Sequence, residues 1–138
     1  LDLASAVAVS PRVDLQKMLQ RGDAWAKFQQ MVALQGGNVE VLEKITSVHR
    51  APFIGEFRSP ASGVLHRMDA GGIGQIVLEL GAGRSKAADP VDFAVGCDQI
   101  AKTGTQVRAG DVLLRVHART KAALARALND LPPHIEIV

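Results

Sequence analysis

The sequence predicts an α+β fold, in which an N-terminal helical segment is followed by a β-rich C-terminal domain. Apolar residues recur at steps of three and four from Pro11 to Lys44, which is the spacing of helices that bury one face. After Pro52, short runs with strand character stand between turn-forming residues. Strands and helices do not follow each other in the regular alternation of a parallel sheet. We therefore divide the chain into residues 1–50 and 51–138.

The first segment is expected to be helical, with helical spacing from Pro11 to Lys44 and a break at Gly22. Asp23 as N-cap and the glycine pair after Gln35 as stop signal predict a helix from Asp23 to Gln35. Asn38 is expected to cap a short further helix through Lys44. We do not expect these helices to form an autonomous core, although the helical position of Trp25 and Phe28 favours a core role for both. The apolar faces consist of Leu15, Met18, Leu19, Trp25, Phe28, Met31 and Val32.

The second segment alternates strand and turn signals and contains two helices. Asp69 is expected to cap a helix that runs to Leu80 and ends at Gly81, and Thr120 is expected to begin the last helix. The stretch "RAGD", residues 108–111, is a turn signal. The apolar face of the last helix consists of Leu124, Leu128 and Leu131. The expected strands cover 53–57, 63–68, 91–95, 105–107, 112–118 and 134–138.

Composition excludes several classes of protein. The 138 residues are 47% hydrophobic, so the chain can bury a core, and its formal net charge is only +2. With no tyrosine and 4% aromatic residues, nucleic-acid binding is not expected. No apolar run approaches the roughly 20 residues of a membrane span, so no membrane partner is expected. The single Cys97 favours a reducing, cytoplasmic location, and the absence of an initiator methionine suggests a piece of a longer protein.

The stretch "LELGAGRSKAADP", residues 78–90, combines glycines with basic side chains. A phosphate-binding Walker A loop needs Gly-Lys-Ser/Thr, and a dinucleotide fingerprint needs a third small residue where Val77 or Lys86 stands, so both are excluded. What remains is a basic connection after a helix, where Arg84 and Lys86 suit the negative end of the helix dipole. It is either a solvated turn or a mobile loop presented to a neighbouring cleft.

The side chains that most often carry catalysis or metal binding form no recognisable pattern. His49, His66, His117 and His134 share no metal-type spacing, and Cys97 lies in an apolar context typical of an inert thiol. The stretch "KTGTQVRAGDVLLRV" is similar to the hairpins of biotinyl and lipoyl carrier domains, with Lys102 nearby. The matching second half of such a domain is absent. A free-standing barrel-like binding or group-carrier module therefore stays as the alternative.

Three ordered stretches carry a resemblance to a known family. They are "WAKFQQMVALQGGN", residues 25–38, then "SPASGVLHRMDAGGIGQIVLELGAGRSKAADPVDFAVG", residues 59–96, and "GTQVRAGDVLLRVHA", residues 104–118. Together they resemble the C-terminal third of the thymidine and pyrimidine-nucleoside phosphorylases. The resemblance implies that residues 51–138 form a C-terminal domain of α/β-hammerhead, barrel-sandwich-like type and that residues 1–50 end the preceding α/β domain.

The resemblance also implies a function for the full-length protein. Family members are homodimers that use inorganic phosphate as co-substrate, and no other cofactor, to convert pyrimidine nucleosides to free base and (deoxy)ribose 1-phosphate. The phosphate-binding and base-binding segments of the family, Ser-Thr-Gly-Gly and Ser-Gly-Arg, do not occur here. No catalytic residue can therefore be assigned to this chain, and the isolated chain is expected to be inactive. By resemblance, the loop with Gly81, Gly83, Arg84, Ser85 and Lys86 lies toward the inter-domain cleft. Our hypothesis is that the mobility of this loop helps to close the phosphate side, with Arg84, Ser85 and Lys86 supplying hydrogen bonds between domains.

Overall fold

The computed structural model describes residues 15–138. These residues form two compact units, one that ends at Val48 and one that covers His49–Val138. No helix in this described range is long and apolar enough to span a bilayer.

From residue 15 onward the first unit consists of helices, as the sequence predicts, and the beginning of the predicted helical segment 1–50 lies outside the described residues. They are α1 (Leu15–Gln20), α2 (Asp23–Leu34) and α3 (Val39–Val48). The predicted cap at Asn38 is confirmed, since its side-chain oxygen accepts a hydrogen bond from the Glu40 N–H at 2.9 Å. The predicted cap at Asp23 is wrong. Gly22, with φ of 79°, precedes the helix, and the Asp23 carboxylate instead pairs with Arg21 at 2.7 Å.

The apolar faces of the first unit remain open to solvent. Neither α1 nor α2 contains a buried residue. Trp25 and Phe28 contact each other with ring centroids 5.7 Å apart, yet they are 45% and 41% exposed. The prediction that both are core residues is therefore wrong for the described unit. Its short helices are too few to enclose an apolar stripe on every side.

The second unit contains two antiparallel sheets, and this mixture of helices and sheets confirms the α+β class. The strands are β1 (Phe53–Arg58), β2 (Gly63–Met68), β3 (Gly96–Asp98), β4 (Gln106–Val107), β5 (Val112–Ala118) and β6 (Ile135–Ile137). In the described chain the sheets have the strand orders β1-β5-β3 and β4-β2-β6, and neither is closed into a barrel.

Both predicted helices of the second unit are present, and Asp69 caps the first of them as predicted. Helix α4 (Ala70–Val77) begins after Asp69, whose carboxylate accepts from the N–H groups of Gly71 and Gly72, and continues as a π-helical turn over Leu78–Ala82. Helix α5 (Lys121–Asp130) is capped by the Thr120 hydroxyl, which accepts from the Ala123 N–H at 3.1 Å. Capping of this kind satisfies main-chain donors that have no partner inside the helix.

The predicted strand over residues 91–95 is wrong, and the strands predicted over 53–57, 105–107 and 134–138 differ from the observed ones by one residue at one or both ends. Residues 91–95 form a turn, and the strand begins at Gly96, because the Asp92 carboxylate accepts from the Ala94 N–H at 3.0 Å and bends the main chain. His134 belongs to a 3₁₀ turn over Pro132–His134, so the last strand begins at Ile135.

The core of the second unit lies where α4 and α5 cover strand β5. Leu114 and Val116 of β5 and Leu131, which follows α5, are fully buried. Leu124 and Leu128 pack against the same cluster, which confirms the predicted apolar face of α5. A β-carbon at Gly55 of β1 would lie 3.0–3.2 Å from both leucine side chains, so α5 approaches the sheet closely here and a larger residue would have to displace the leucines slightly.

Candidate functional site

The loop from Gly81 to Pro90, which we call the basic loop, leaves the π-helical turn and returns to the base of that turn. Gly81 has φ of 102°, a conformation that favours glycine. Its carbonyl oxygen accepts a hydrogen bond from the Asp92 N–H at 2.9 Å. The two ends of the basic loop are therefore tied to each other.

Asp89 closes the interior of the basic loop. Its carboxylate accepts from the N–H of Ser85 at 3.1 Å and from the N–H of Lys86 at 2.7 Å. The Asp89 N–H in turn donates to the Lys86 carbonyl at 3.0 Å. Sequence analysis did not identify this residue, although an aspartate shortly after turn-forming residues is a known signal of side-chain to main-chain hydrogen bonding.

The predicted site side chains project from this closed main chain. Arg84, Ser85 and Lys86 are exposed. Among the residues that the structure describes, none of these three side chains forms a hydrogen bond or an ion pair. Gly83 lies against the side chain of Leu78, where a β-carbon would approach within 2.6 Å. The loop thus presents two cations without a partner in the described chain.

Asp92 connects the basic loop to the end of strand β5. Its carboxylate accepts two hydrogen bonds from Arg119, at 2.6 Å from Nε and 2.8 Å from Nη2. The Arg119 guanidinium, with help from the Ala94 N–H, lowers the pKa of Asp92 to about 2. This bidentate pair is a charge-assisted contact of the strong kind.

A shallow depression lies beside this ion pair. It is lined by His49, Gly81, Pro90, Val91, Asp92, Phe93 and Arg119. Phe93 is 74% exposed and meets the ring of His49 edge-on, with centroids 5.7 Å apart. The sequence placed Phe93 in a strand, and its exposure follows from the turn that Asp92 sets.

The remaining histidines lie apart from the basic loop. His117 Nε2 is 3.1 Å from Asp98, whose pKa is lowered to about 2 chiefly by the bidentate contact with Arg115. His134 Nδ1 is 3.2 Å from Asp69, at the N-terminus of α4. No group of three or more His, Cys, Asp or Glu residues within 15–138 is arranged to hold a metal ion.

Cys97 is a poorly reactive thiol by its surroundings. The side chain is half-buried in strand β3. Burial first, and the neighbouring Asp98 charge second, raise its pKa to about 11. Since the thiolate is the nucleophile, a pKa this high disfavours a catalytic role near neutral pH.

Comparison with known proteins matches residues 64–138 to the pyrimidine nucleoside phosphorylase C-terminal domain. More than half of the described chain lies in that match, from strand β2 to the last strand. This chain belongs to the pyrimidine nucleoside phosphorylase family. The resemblance seen in the sequence is thereby confirmed, and the basic loop, Asp89 and Asp92 lie inside the matched domain.

The similarity to individual proteins extends beyond the matched C-terminal domain. The thymidine phosphorylase of Burkholderia cenocepacia strain HI2424 is 38% identical over 123 residues, which are 88% of this chain and 28% of that protein. The thymidine phosphorylase of Colwellia psychrerythraea strain 34H is 36% identical over 119 residues, 86% of this chain and 27% of that protein. The chain therefore spans little more than a quarter of the length of these relatives.

The phosphorylase match does not favour the carrier alternative. Lys102 precedes an exposed turn between β3 and β4, where the Thr105 N–H donates to the Lys102 carbonyl at 3.1 Å. Such a turn is common where strands connect and is not by itself a modification site.

Proposed function

We propose that this chain is the C-terminal part of a longer pyrimidine-nucleoside phosphorylase. That protein would cleave the glycosidic bond of thymidine or a related nucleoside with inorganic phosphate, releasing the free base and (deoxy)ribose 1-phosphate. The observation that carries the proposal is the 38% identity to a thymidine phosphorylase across 88% of this chain. We further propose that the protein is a cytoplasmic homodimer that needs no cofactor besides phosphate as co-substrate.

In this proposal residues 51–138 form a domain of α/β-hammerhead, barrel-sandwich-like type, and residues 1–50 end the preceding α/β domain. The two small antiparallel sheets under two helices support the first part. The open apolar face of α2 supports the second, since Trp25, Phe28 and Met31 are each more than 40% exposed and contiguous exposed apolar residues mark a contact surface. Trp25→Ser should then destabilise the longer protein and leave the 138-residue chain almost unaffected.

The contribution of this chain would be structural. Phosphorolysis requires a site that is closed against water, because water competes with phosphate as the nucleophile. We propose that the basic loop helps to close the phosphate side of the inter-domain cleft. Gly81 and Gly83 would permit its path, and Arg84, Ser85 and Lys86 would donate hydrogen bonds across the cleft. The charges of Arg84 and Lys86, which have no partner among residues 15–138, support this role.

The first experiment is an assay of the longer protein with thymidine, deoxyuridine and uridine, each with and without inorganic phosphate. We expect base release that depends on phosphate, and no release from the isolated 138-residue chain. Base release without phosphate, or none with any of the three nucleosides, would contradict the proposed activity. Turnover by the isolated chain would contradict its structural role.

The cleft-closing role has its own test in the longer protein. We expect Arg84→Ala and Lys86→Ala to lower kcat/KM for phosphate. Arg108→Ala is a matched control, because Arg108 is an exposed basic residue on a turn outside the loop. Equal phosphate dependence in all three variants would argue against the role.

A further inference from the structure

The basic loop contains one carboxylate and two cationic side chains, and the carboxylate does not pair with either of them. The Asp89 oxygen accepts from the main-chain N–H groups of Ser85 and Lys86, at 3.1 and 2.7 Å. Two consecutive N–H groups that converge on one anion form a main-chain concavity of the kind that binds oxyanions. Here a residue of the loop itself occupies that concavity.

This arrangement has two consequences for the loop. The hydrogen bonds to Asp89 fix the main chain at Ser85 and Lys86, so the conformational entropy of ordering these residues is lost on folding and not on binding. The same hydrogen bonds satisfy the carboxylate, which leaves Arg84 and Lys86 exposed and without a described partner. The loop is therefore preordered and cationic at its outer side.

The base of the loop is held independently of Asp89. The Asp92 N–H donates to Gly81, and the Asp92 carboxylate binds Arg119 at 2.6 and 2.8 Å. A change at Asp89 should consequently loosen the outer part of the loop while its two ends stay in place. This separation makes Asp89 a suitable position for a specific test.

We propose that Asp89 is a positioning residue for phosphate use by the enzyme. It holds the loop main chain in the shape that keeps Arg84 and Lys86 directed outward as a pair of oxyanion-binding cations. The inference rests on the proposed function, because it assumes that the loop serves a phosphorolysis reaction. Asp89 itself is not expected to contact a substrate.

The first readout is limited trypsin digestion of the longer protein, because Arg84 and Lys86 are themselves trypsin sites. In Asp89→Ala, cleavage after these two residues should be faster by about tenfold, as the loss of two main-chain hydrogen bonds implies. Asp89→Asn retains an acceptor oxygen and should stay close to the native rate. This readout does not depend on enzymatic activity.

The turn between β4 and β5 provides a matched control. The Asp111 carboxylate accepts from the Arg108 N–H at 2.7 Å, which is the same type of contact in another exposed turn. Asp111→Ala should speed cleavage after Arg108 and leave cleavage after Arg84 and Lys86 unchanged. General destabilisation, in contrast, would accelerate cleavage at all three positions in both variants.

The second readout is steady-state kinetics with phosphate as the varied substrate. For Asp89→Ala we expect kcat/KM for phosphate to fall by about tenfold, the factor set by losing the same hydrogen bonds, with KM for the nucleoside unchanged. Asp89→Asn should recover most of the loss. Asp111→Ala should have native kinetics.

The outcomes separate the inference from the proposed function. Native cleavage rates in Asp89→Ala, or faster cleavage with native phosphate kinetics, would overturn the positioning role while phosphorolysis itself stands. If the native protein has no phosphate-dependent turnover, the proposed function fails. The trypsin comparison then still decides whether Asp89 orders the loop.

Discussion

The contact between Gly72 and His134 offers a sharp test of the packing at the N-terminus of α4. A β-carbon at Gly72 would overlap Nδ1, Cε1 and Cγ of the His134 ring. Cγ is among the overlapped atoms, and it does not move when the imidazole rotates about the Cβ–Cγ bond. The clash is therefore relieved only if the whole His134 side chain moves away from α4. It would then lose its contact with Asp69, which is 3.2 Å from Nδ1.

Gly74, two residues later in the same helix, provides the matched control. A β-carbon there meets no atom within 4 Å. Gly74→Ala should therefore gain the helix propensity alone, about 0.5–1 kcal/mol. Gly72→Ala has the same gain, but overpacking costs about 1–3 kcal/mol and the lost polar contact about 1 kcal/mol. We expect a net destabilisation of about 1–3.5 kcal/mol for Gly72→Ala.

The assay is urea unfolding of both variants in the 138-residue chain, followed by circular dichroism. Fluorescence is unsuitable, because Trp25 is the sole tryptophan of the chain and belongs to the first unit. In a His134→Ala background, Gly72→Ala should become stabilising like Gly74→Ala. Equal effects at the two glycines, or a penalty that persists without the imidazole, would refute the assignment of the clash to His134.

Three further predictions concern the core, acid stability and the thiol. Leu114→Ala should cost about 2–5 kcal/mol because the side chain is fully buried, whereas Ile54→Ala, at a 53% exposed position, should change urea stability by about 0.5 kcal/mol or less. The pKa of Asp92 is lowered from 3.8 to about 2, so the ionised carboxylate stabilises the fold above pH 3.8, and this stabilisation is lost as pH falls toward 2. In Arg119→Ala the urea midpoint should therefore fall less between about pH 4 and pH 2 than in the native chain. Alkylation of Cys97, followed by mass spectrometry, should be about 100-fold slower at pH 7.5 than for a thiol of pKa 9.0, and a rate typical of a free thiol would contradict its burial.

Elements set by interactions between close neighbours were predictable from the sequence. The caps at Asp69 and Thr120 and the turn at residues 108–111 each depend on side-chain to main-chain hydrogen bonds that span two or three residues. The alternating apolar pattern that identifies strand β5 was predictable for a similar reason, because successive side chains of a strand point to opposite faces of the sheet. Residue type and spacing alone contain that information.

Some of the errors involve residues that are distant in the chain. Residues 91–95 alternate like a strand, but Asp92, which bends the main chain through the Ala94 N–H, is itself held by Arg119, 27 positions away in the chain. Helical spacing correctly identified an apolar face at Trp25 and Phe28, yet whether that face is covered depends on what packs against it. Spacing along a chain contains no information about such neighbours.

The sequence by itself determined the α+β class, most element positions and the family to which the chain belongs. It also singled out the basic loop from Gly81 to Pro90. The closure of this loop by Asp89 spans only three and four residues and was missed at the level of sequence. Only the tertiary structure showed that the Asp92 and Arg119 pair anchors the base of the loop. The physical reason is one of range. Caps, turns and periodicity act between near neighbours, whereas the anchor of the loop exists only after folding has brought the end of β5 to it.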